Sequence, residues 1–284
     1  MRFESRQYWL RIPKAVSVKR ASPVSRRPIG IFDSGLGGIS VLREIRAHMP
    51  AEALCYVADS HYAPYGEKSV PLIRQRSEHC CERLIEQNVK AIVVACNTAT
   101  AAAVSVLRAR YALPIIAMEP AVKPAALISS SGKIGVLATA GTLSSEKYEK
   151  LLSQHASHVE VMSQPCFGLV EEIEKGDFES PALRNLLWRY IEPLLRAQVD
   201  TLILGCTHYP LITPLIKALV GDGVTVLDSG QAVAKRLHQQ LQALQLLSSE
   251  AQQLPLRCWS SGDLLQQQSR IRALWPHPFE LSEL

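Results

Sequence analysis

Two stretches of this chain share one arrangement: a run of apolar residues that stops at a cysteine followed by polar residues. The first is Ile92-Val93-Val94-Ala95-Cys96-Asn97-Thr98, and the second is Leu202-Ile203-Leu204-Gly205-Cys206-Thr207-His208. Apolar runs without polar alternation suit strands buried on both faces, and such strands belong to parallel sheets covered by helices. A second matching pair lies upstream. Pro28-Ile29-Gly30-Ile31-Phe32 and Lys133-Ile134-Gly135-Val136-Leu137 each lead into a small, Gly-punctuated turn, Asp33-Ser34-Gly35 and Ala138-Thr139-Ala140-Gly141. The echo predicts an α/β protein of two similar three-layer α/β lobes with mainly parallel sheets. These lobes are related by a pseudo-twofold duplication, with the active site in the cleft between them.

The pattern between these landmarks agrees. Helices are expected over Ile39 to His48, with Val41, Leu42 and Ile45 on one face, over Leu72 to Asn88, and over Thr100 to Arg110. Strands are expected over Leu54 to Ala58, over Ala91 to Ala95 and from Pro114. Glu119-Pro120 and Lys123-Pro124 read as a crossover, and the helical pattern from Gly230 to Gln245 is expected to pack back on the first lobe. The resulting division is a basic extension 1–27, a first α/β domain 28–117 plus 229–284, and a second α/β domain 118–228.

Charge is unevenly spread. Residues 1–27 carry eight bases against Glu4 alone, a formal +7, so the remainder of this +5 chain is slightly acidic. A basic tail suits an anionic partner, but the body has no basic stripe with interleaved aromatics, which argues against nucleic acid as the main partner. The tail's Arg- and Ser-rich, acid-poor make-up also has some transit-peptide character. The apolar stretch Tyr8-Trp9-Leu10 is cut short by Arg11, and the apolar run from Ala91 to Leu107 contains Asn97, Thr98 and Thr100, so neither a secretory signal nor a membrane span is expected. Seven cysteines, an odd number without metal-type spacing, point to free thiols and a cytoplasmic setting.

Cys96 and Cys206 fall at the carboxyl ends of expected parallel strands, where open α/β sheets place their ligands. A thiol at a helix N-terminus is easier to ionise, and an ordinary thiol is already close to usable as a base near neutral pH. The polar successors Asn97, Thr98, Thr207 and His208 make a cradle for carboxylate oxygens. Cys55, Cys80, Cys81, Cys166 and Cys258 lack this context and read as structural. Asp33-Ser34-Gly35-Leu36-Gly37-Gly38 fails the dinucleotide pattern, which would need glycine at Ser40. Its Asp-Ser pair suits an ammonium group instead, and the Pro64-Tyr65-Gly66 turn offers amides to an anion. His208 suits a proton partner of the nearby thiol better than a metal ligand, since two ligands make a poor zinc site. A Cys-His pair also fits a cysteine amidase, and a two-lobed amino-acid-binding module would explain the cleft without the paired thiols.

Asp33-Ser34-Gly35-Leu36-Gly37-Gly38, Pro64-Tyr65-Gly66, Ala95-Cys96-Asn97-Thr98-Ala99 and Gly205-Cys206-Thr207-His208-Tyr209-Pro210 together resemble the four motifs of bacterial glutamate racemases, a cofactor-independent branch of the aspartate/glutamate racemases. They occur in the family's order and cover the chain from about residue 28 onward. His208 favours glutamate over the related aspartate racemases, which usually carry Glu there. The resemblance implies interconversion of L- and D-glutamate by two cysteines without cofactor or metal, with the D-isomer feeding peptidoglycan and hence the cell wall. It implies Cys96 and Cys206 as catalytic residues, with Asp33, His208 and Glu171 assisting. Substrate contacts would come from Asp33, Ser34, Tyr65, Gly66, Asn97, Thr98, Thr207 and His208. The run Pro165-Cys166-Phe167-Gly168 before Glu171 departs from the family's usual sequence. Relatives with a basic extension are the ones linked to activation by UDP-N-acetylmuramoyl-L-alanine, which is therefore the expected activator. Monomer and homodimer are both compatible with the sequence.

Overall fold

The computed structural model describes residues 24–249 and 255–284, so most of the basic extension lies outside the described residues. The strands are β1 (Ile29–Asp33), β2 (Leu54–Ala58), β3 (Ala91–Val94), β4 (Ile115–Ala117) and β5 (Lys133–Ala138). They continue with β6 (Glu160–Pro165), β7 (Thr201–Leu204), β8 (Thr225–Leu227), β9 (Leu256–Ser260) and β10 (Phe279–Glu283). Two all-parallel sheets result, ordered β10-β9-β2-β1-β3-β4 and β6-β5-β7-β8. Within them, β2-β1-β3-β4 and β6-β5-β7-β8 are the same winding. The sequence echo is therefore a structural repeat: Ile29 pairs with Leu54 and Ala91, as Ile134 pairs with Val161 and Thr201.

Every residue of β1 and β3 is buried. Ile29 and Ile31 face one hydrophobic core while Phe32 faces another. Ile134 and Val136 likewise point away from the core that takes Leu137. Each sheet is thus a middle layer with apolar packing on both sides, which is why its strands read as uninterrupted apolar runs.

Helices α1 (Ile39–His48), α2 (Val70–Glu86) and α3 (Asn97–Arg110) follow the first three strands. α3 starts three residues before the expected Thr100. Cys96, in extended backbone, caps it by accepting a hydrogen bond from the Ala99 N–H at 3.4 Å, so Asn97 and Thr98 form the first turn. Cys206 differs. A 3₁₀ turn, Tyr209–Ile212, separates it from the α-helix Thr213–Val220. A helix running on from Cys206 would hold Pro214 in its interior. Starting at Thr213 leaves it in the first turn, where its missing N–H does no harm.

The end of the chain returns to the first sheet. Helix Gly230–Ala243 packs on α1, as expected, and the sequence reading missed that β9 and β10 then extend the β2 edge. No helix of the described residues is long and apolar enough to cross a membrane. Strand order reverses between β1 and β3 and again between β5 and β7, and loops leaving such switch points part and leave a crevice. The two crevices face each other, and their four loops carry Ser34, Cys96, Thr139 and Cys206.

Candidate active site

Those loops and the turn after β2 line one narrow cleft. Cys96 and Cys206 both line it, 5% and 7% exposed. The first lobe contributes Ser34, Tyr65, Gly66, Asn97 and Thr98, and the second contributes Thr207 and His208. Asp33 is fully buried alongside. Its Oδ2 accepts from the Gly38 N–H at 2.6 Å and the Thr207 hydroxyl at 3.3 Å, while Oδ1 has no protein partner. Both polar atoms of the Asn97 amide are buried without a partner as well. Buried polar atoms are normally satisfied, so unpaired ones beside a cleft mark where a polar ligand would complete the bonding.

The two sulfurs have different surroundings. Burial, reinforced by Asp33 and Cys206, pushes the Cys96 thiol well up, despite the cap bond from Ala99 and a contact to Ser34. The sequence expectation of an easier ionisation at this helix start is therefore reversed, because desolvation outweighs one amide. Cys96 is a thiol here, its proton directed at Ser34 Oγ, 3.8 Å away. Cys206 Sγ instead lies 3.7 Å from Nδ1 of His208, whose Nε2 is 2.7 Å from Glu174 Oε1. Burial alone would lower the His208 pKa, but its contacts with Cys206 and Glu174 hold it well above the ordinary value. Gly37 N–H also approaches Nε2, at 3.2 Å. A ring accepting there would turn a lone pair toward the carboxylate, so Nε2–H donating to Glu174 is the consistent assignment. Glu174, His208 and Cys206 thus form one continuous chain of polar contacts, with the imidazole between the carboxylate and the sulfur.

Residues 36–237 match the Asp/Glu/Hydantoin racemase family. A glutamate racemase of Ectopseudomonas mendocina is 55% identical over 253 residues, 89% of this chain and 94% of that protein. The chain belongs to the Asp/Glu racemase family. Solved structures agree. A Bacillus anthracis glutamate racemase superposes with a TM-score of 0.82 at 31% identity, over 92% of this chain and 98% of that one. An Escherichia coli glutamate racemase, crystallised with L-glutamate and the activator UDP-MurNAc-ala, gives 0.81 at 30% identity over 90% and 97%.

Within this racemase, Glu171 does not reach His208. It lines a neighbouring cavity with Cys166 and Phe167, and the carboxylate against the imidazole is Glu174, the last residue of helix Leu169–Glu174. Three acids in six residues gave the sequence no means of choosing; the helix's orientation does. Glu174 also accepts from the Leu36 N–H at 2.7 Å, tying the second lobe to the Asp33 loop of the first. Thr139 was missed too, although its turn is the repeat of Asp33-Ser34-Gly35. It lines the cleft and hydrogen bonds Thr98 at 2.8 Å. A Cβ on Gly66 would stand 2.6 Å from Thr139 Cβ, so only glycine lets these walls meet.

The Glu174–His208 pair makes stability depend on pH in a defined window. His208 is raised above 6.5, so its contribution is complete below that pH and fades as pH climbs through the folded value. Burial opposes ionisation of Glu174, but His208 holds its carboxyl below the ordinary 4.5, so that contribution is complete above 4.5 and is lost as pH falls through the folded value. The gap in urea midpoint between wild type and Glu174→Gln is expected to peak between pH 4.5 and 6.5 and to narrow on both sides. A gap independent of pH would remove the ion pair from the account.

Proposed function

We propose that this protein interconverts L- and D-glutamate by two-thiol proton transfer, without a cofactor. The observation that carries the reading is that two buried thiols, on equivalent loops of a duplicated fold, line one cleft. Inversion needs a proton removed from one face of Cα and returned to the other, and groups on opposite lobes do this without moving the substrate. With L-glutamate, the Cα–H proton passes to the Cys206 thiolate held by His208. The Cys96 S–H proton then adds to the opposite face, onto the electron pair left by the broken bond. Nothing is oxidised. Cys206 ends as thiol and Cys96 as thiolate, which is the starting state for D-glutamate.

Asp33 Oδ1 and Ser34 suit the ammonium. Backbone and side-chain donors at Asn97, Thr98 and Thr207 suit one carboxylate, and the Tyr65–Gly66 amides suit the other. Closure around the substrate excludes water and strengthens these contacts as charge develops at Cα. The reading extends to D-glutamate supply for peptidoglycan in the cytoplasm, in keeping with seven free cysteines. It also takes 28–117 with 229–284 and 118–228 as the two domains. The activator seen with the E. coli relative and the basic extension of this chain support activation by UDP-N-acetylmuramoyl-L-alanine.

The test is L-glutamate in D2O with the purified full chain. Optical rotation should decay to zero as deuterium enters at Cα, faster with the muramyl precursor present. Constant rotation refutes the racemase reading, and turnover indifferent to the precursor removes the activator.

A further inference from the structure

Asp59 touches neither cysteine and has no part in the proton transfer, yet it is fully buried and four donors converge on it. Oδ2 accepts from the Tyr65 phenol at 2.6 Å and from Arg76 Nε at 2.8 Å. Oδ1 accepts from the other arm of Arg76 at 2.7 Å and from Ser261 Oγ at 2.8 Å. The Arg76 guanidinium lies 4.0 Å over the Tyr62 ring, and Ser261 Oγ also accepts from the His61 N–H at 3.1 Å. The Cys80 thiol contacts the Tyr65 phenol from α2. Positions 59, 61, 62 and 65 of one short segment are therefore fixed to α2 and to the residue after β9. A two-pronged Arg–carboxylate pair has little angular freedom, so this anchor is stiff. The Asp59 side chain is linked to the cleft through the phenol of Tyr65, whose O–H is committed to Asp59, while the Asp59 N–H donates to the Asp33 carbonyl at 3.1 Å.

We infer that Asp59 is a positioning residue that sets, through the Tyr65 hydroxyl, how far the Tyr65–Gly66 wall stands from the two thiols, and hence which side-chain length the cleft accepts. The inference rests on the glutamate reading above. A dicarboxylate must span from Cα at the sulfurs to that wall, so a wall that drifts loses glutamate. Aspartate, one methylene shorter, does not reach it. A single methylene is worth roughly 10- to 200-fold in discrimination.

The experiment compares wild type, Asp59→Asn, Tyr65→Phe and the double variant. Asp59→Asn opposes an amide N–H to Arg76 and breaks the two-pronged pair; Tyr65→Phe deletes only the hydroxyl. Each should raise KM for glutamate about tenfold with kcat within about twofold, a loss of roughly 1.4 kcal/mol in binding. The inhibition constant of aspartate should move by less than about twofold, and the double variant should be no worse than either single one. Should Asp59→Asn fail to fold, Tyr65→Phe decides by the same split. Additive effects, a fall in kcat alone, or glutamate and aspartate weakened together overturns the inference while wild type remains active. A wild type that leaves glutamate unracemised overturns the site reading and this inference with it.

Discussion

Replacing Cys96 with alanine should abolish racemisation, by at least roughly 10⁴-fold, the upper end of what one positioned acid–base group supplies. Cys206→Ala should do the same, because inversion needs both a base on one face and an acid on the other. The two variants are expected to part company with a β-chloro analogue of the substrate. Loss of the Cα proton there expels chloride, so only the base is required. Cys96→Ala retains Cys206 with its His208 partner, and should eliminate HCl from the L-analogue alone; Cys206→Ala should act on the D-analogue alone. Both sites are buried in tight packing, so unchanged thermal midpoints are the control for folding. If Cys96→Ala racemised glutamate at the wild-type rate, the two-thiol scheme would be wrong.

The second large effect concerns stability. Lys90 and Glu52 form an ion pair at 2.5 Å with side chains 0% and 2% exposed. The ammonium also donates to the Ser25 and Leu246 carbonyls, at 2.6 and 2.7 Å, and the other oxygen of Glu52 accepts from the Ser248 N–H at 2.9 Å. One buried charge thus gathers the segment before β1, the start of β3 and the end of helix Gly230–Ala243. Lys90→Met leaves a carboxylate uncompensated in the core and is expected to destabilise by roughly 3–5 kcal/mol. At about 2–4 °C per kcal/mol for a chain approaching this size, the thermal midpoint should fall by about 6–20 °C. Changing both partners, Lys90→Met with Glu52→Leu, should recover most of the loss, since a well-packed apolar pair tolerates burial that a lone charge does not. A drop under about 1 kcal/mol for the single variant would place the pair among surface ion pairs, against its burial.

Much of the architecture is legible in the sequence. Burial of a strand on both faces forces an uninterrupted apolar run, and a duplicated winding writes that run twice. The two cysteine-terminated strands and the matching glycine turns therefore announced the parallel sheets and the repeat. Chemistry at the ends of such strands is equally local: Asp33, Ser34, Asn97, Thr98, Thr207 and His208 sit one to three residues beyond strands that the sequence itself marks. Other features were settled only when distant segments met. β9 pairs with the β2 edge, formed far earlier in the chain, and β10 with β9 in turn, and that pairing leaves no periodic trace of its own. The choice of Glu174 over Glu171 depends on how a six-residue helix lies against His208. The state of the Cys96 thiol was decided by desolvation, a property of everything packed around the sulfur, which overrode the helix-end effect that sequence position suggested. Spacing along the chain fixes which groups stand at a strand's end; the electrostatic cost of enclosing them is set by the whole fold.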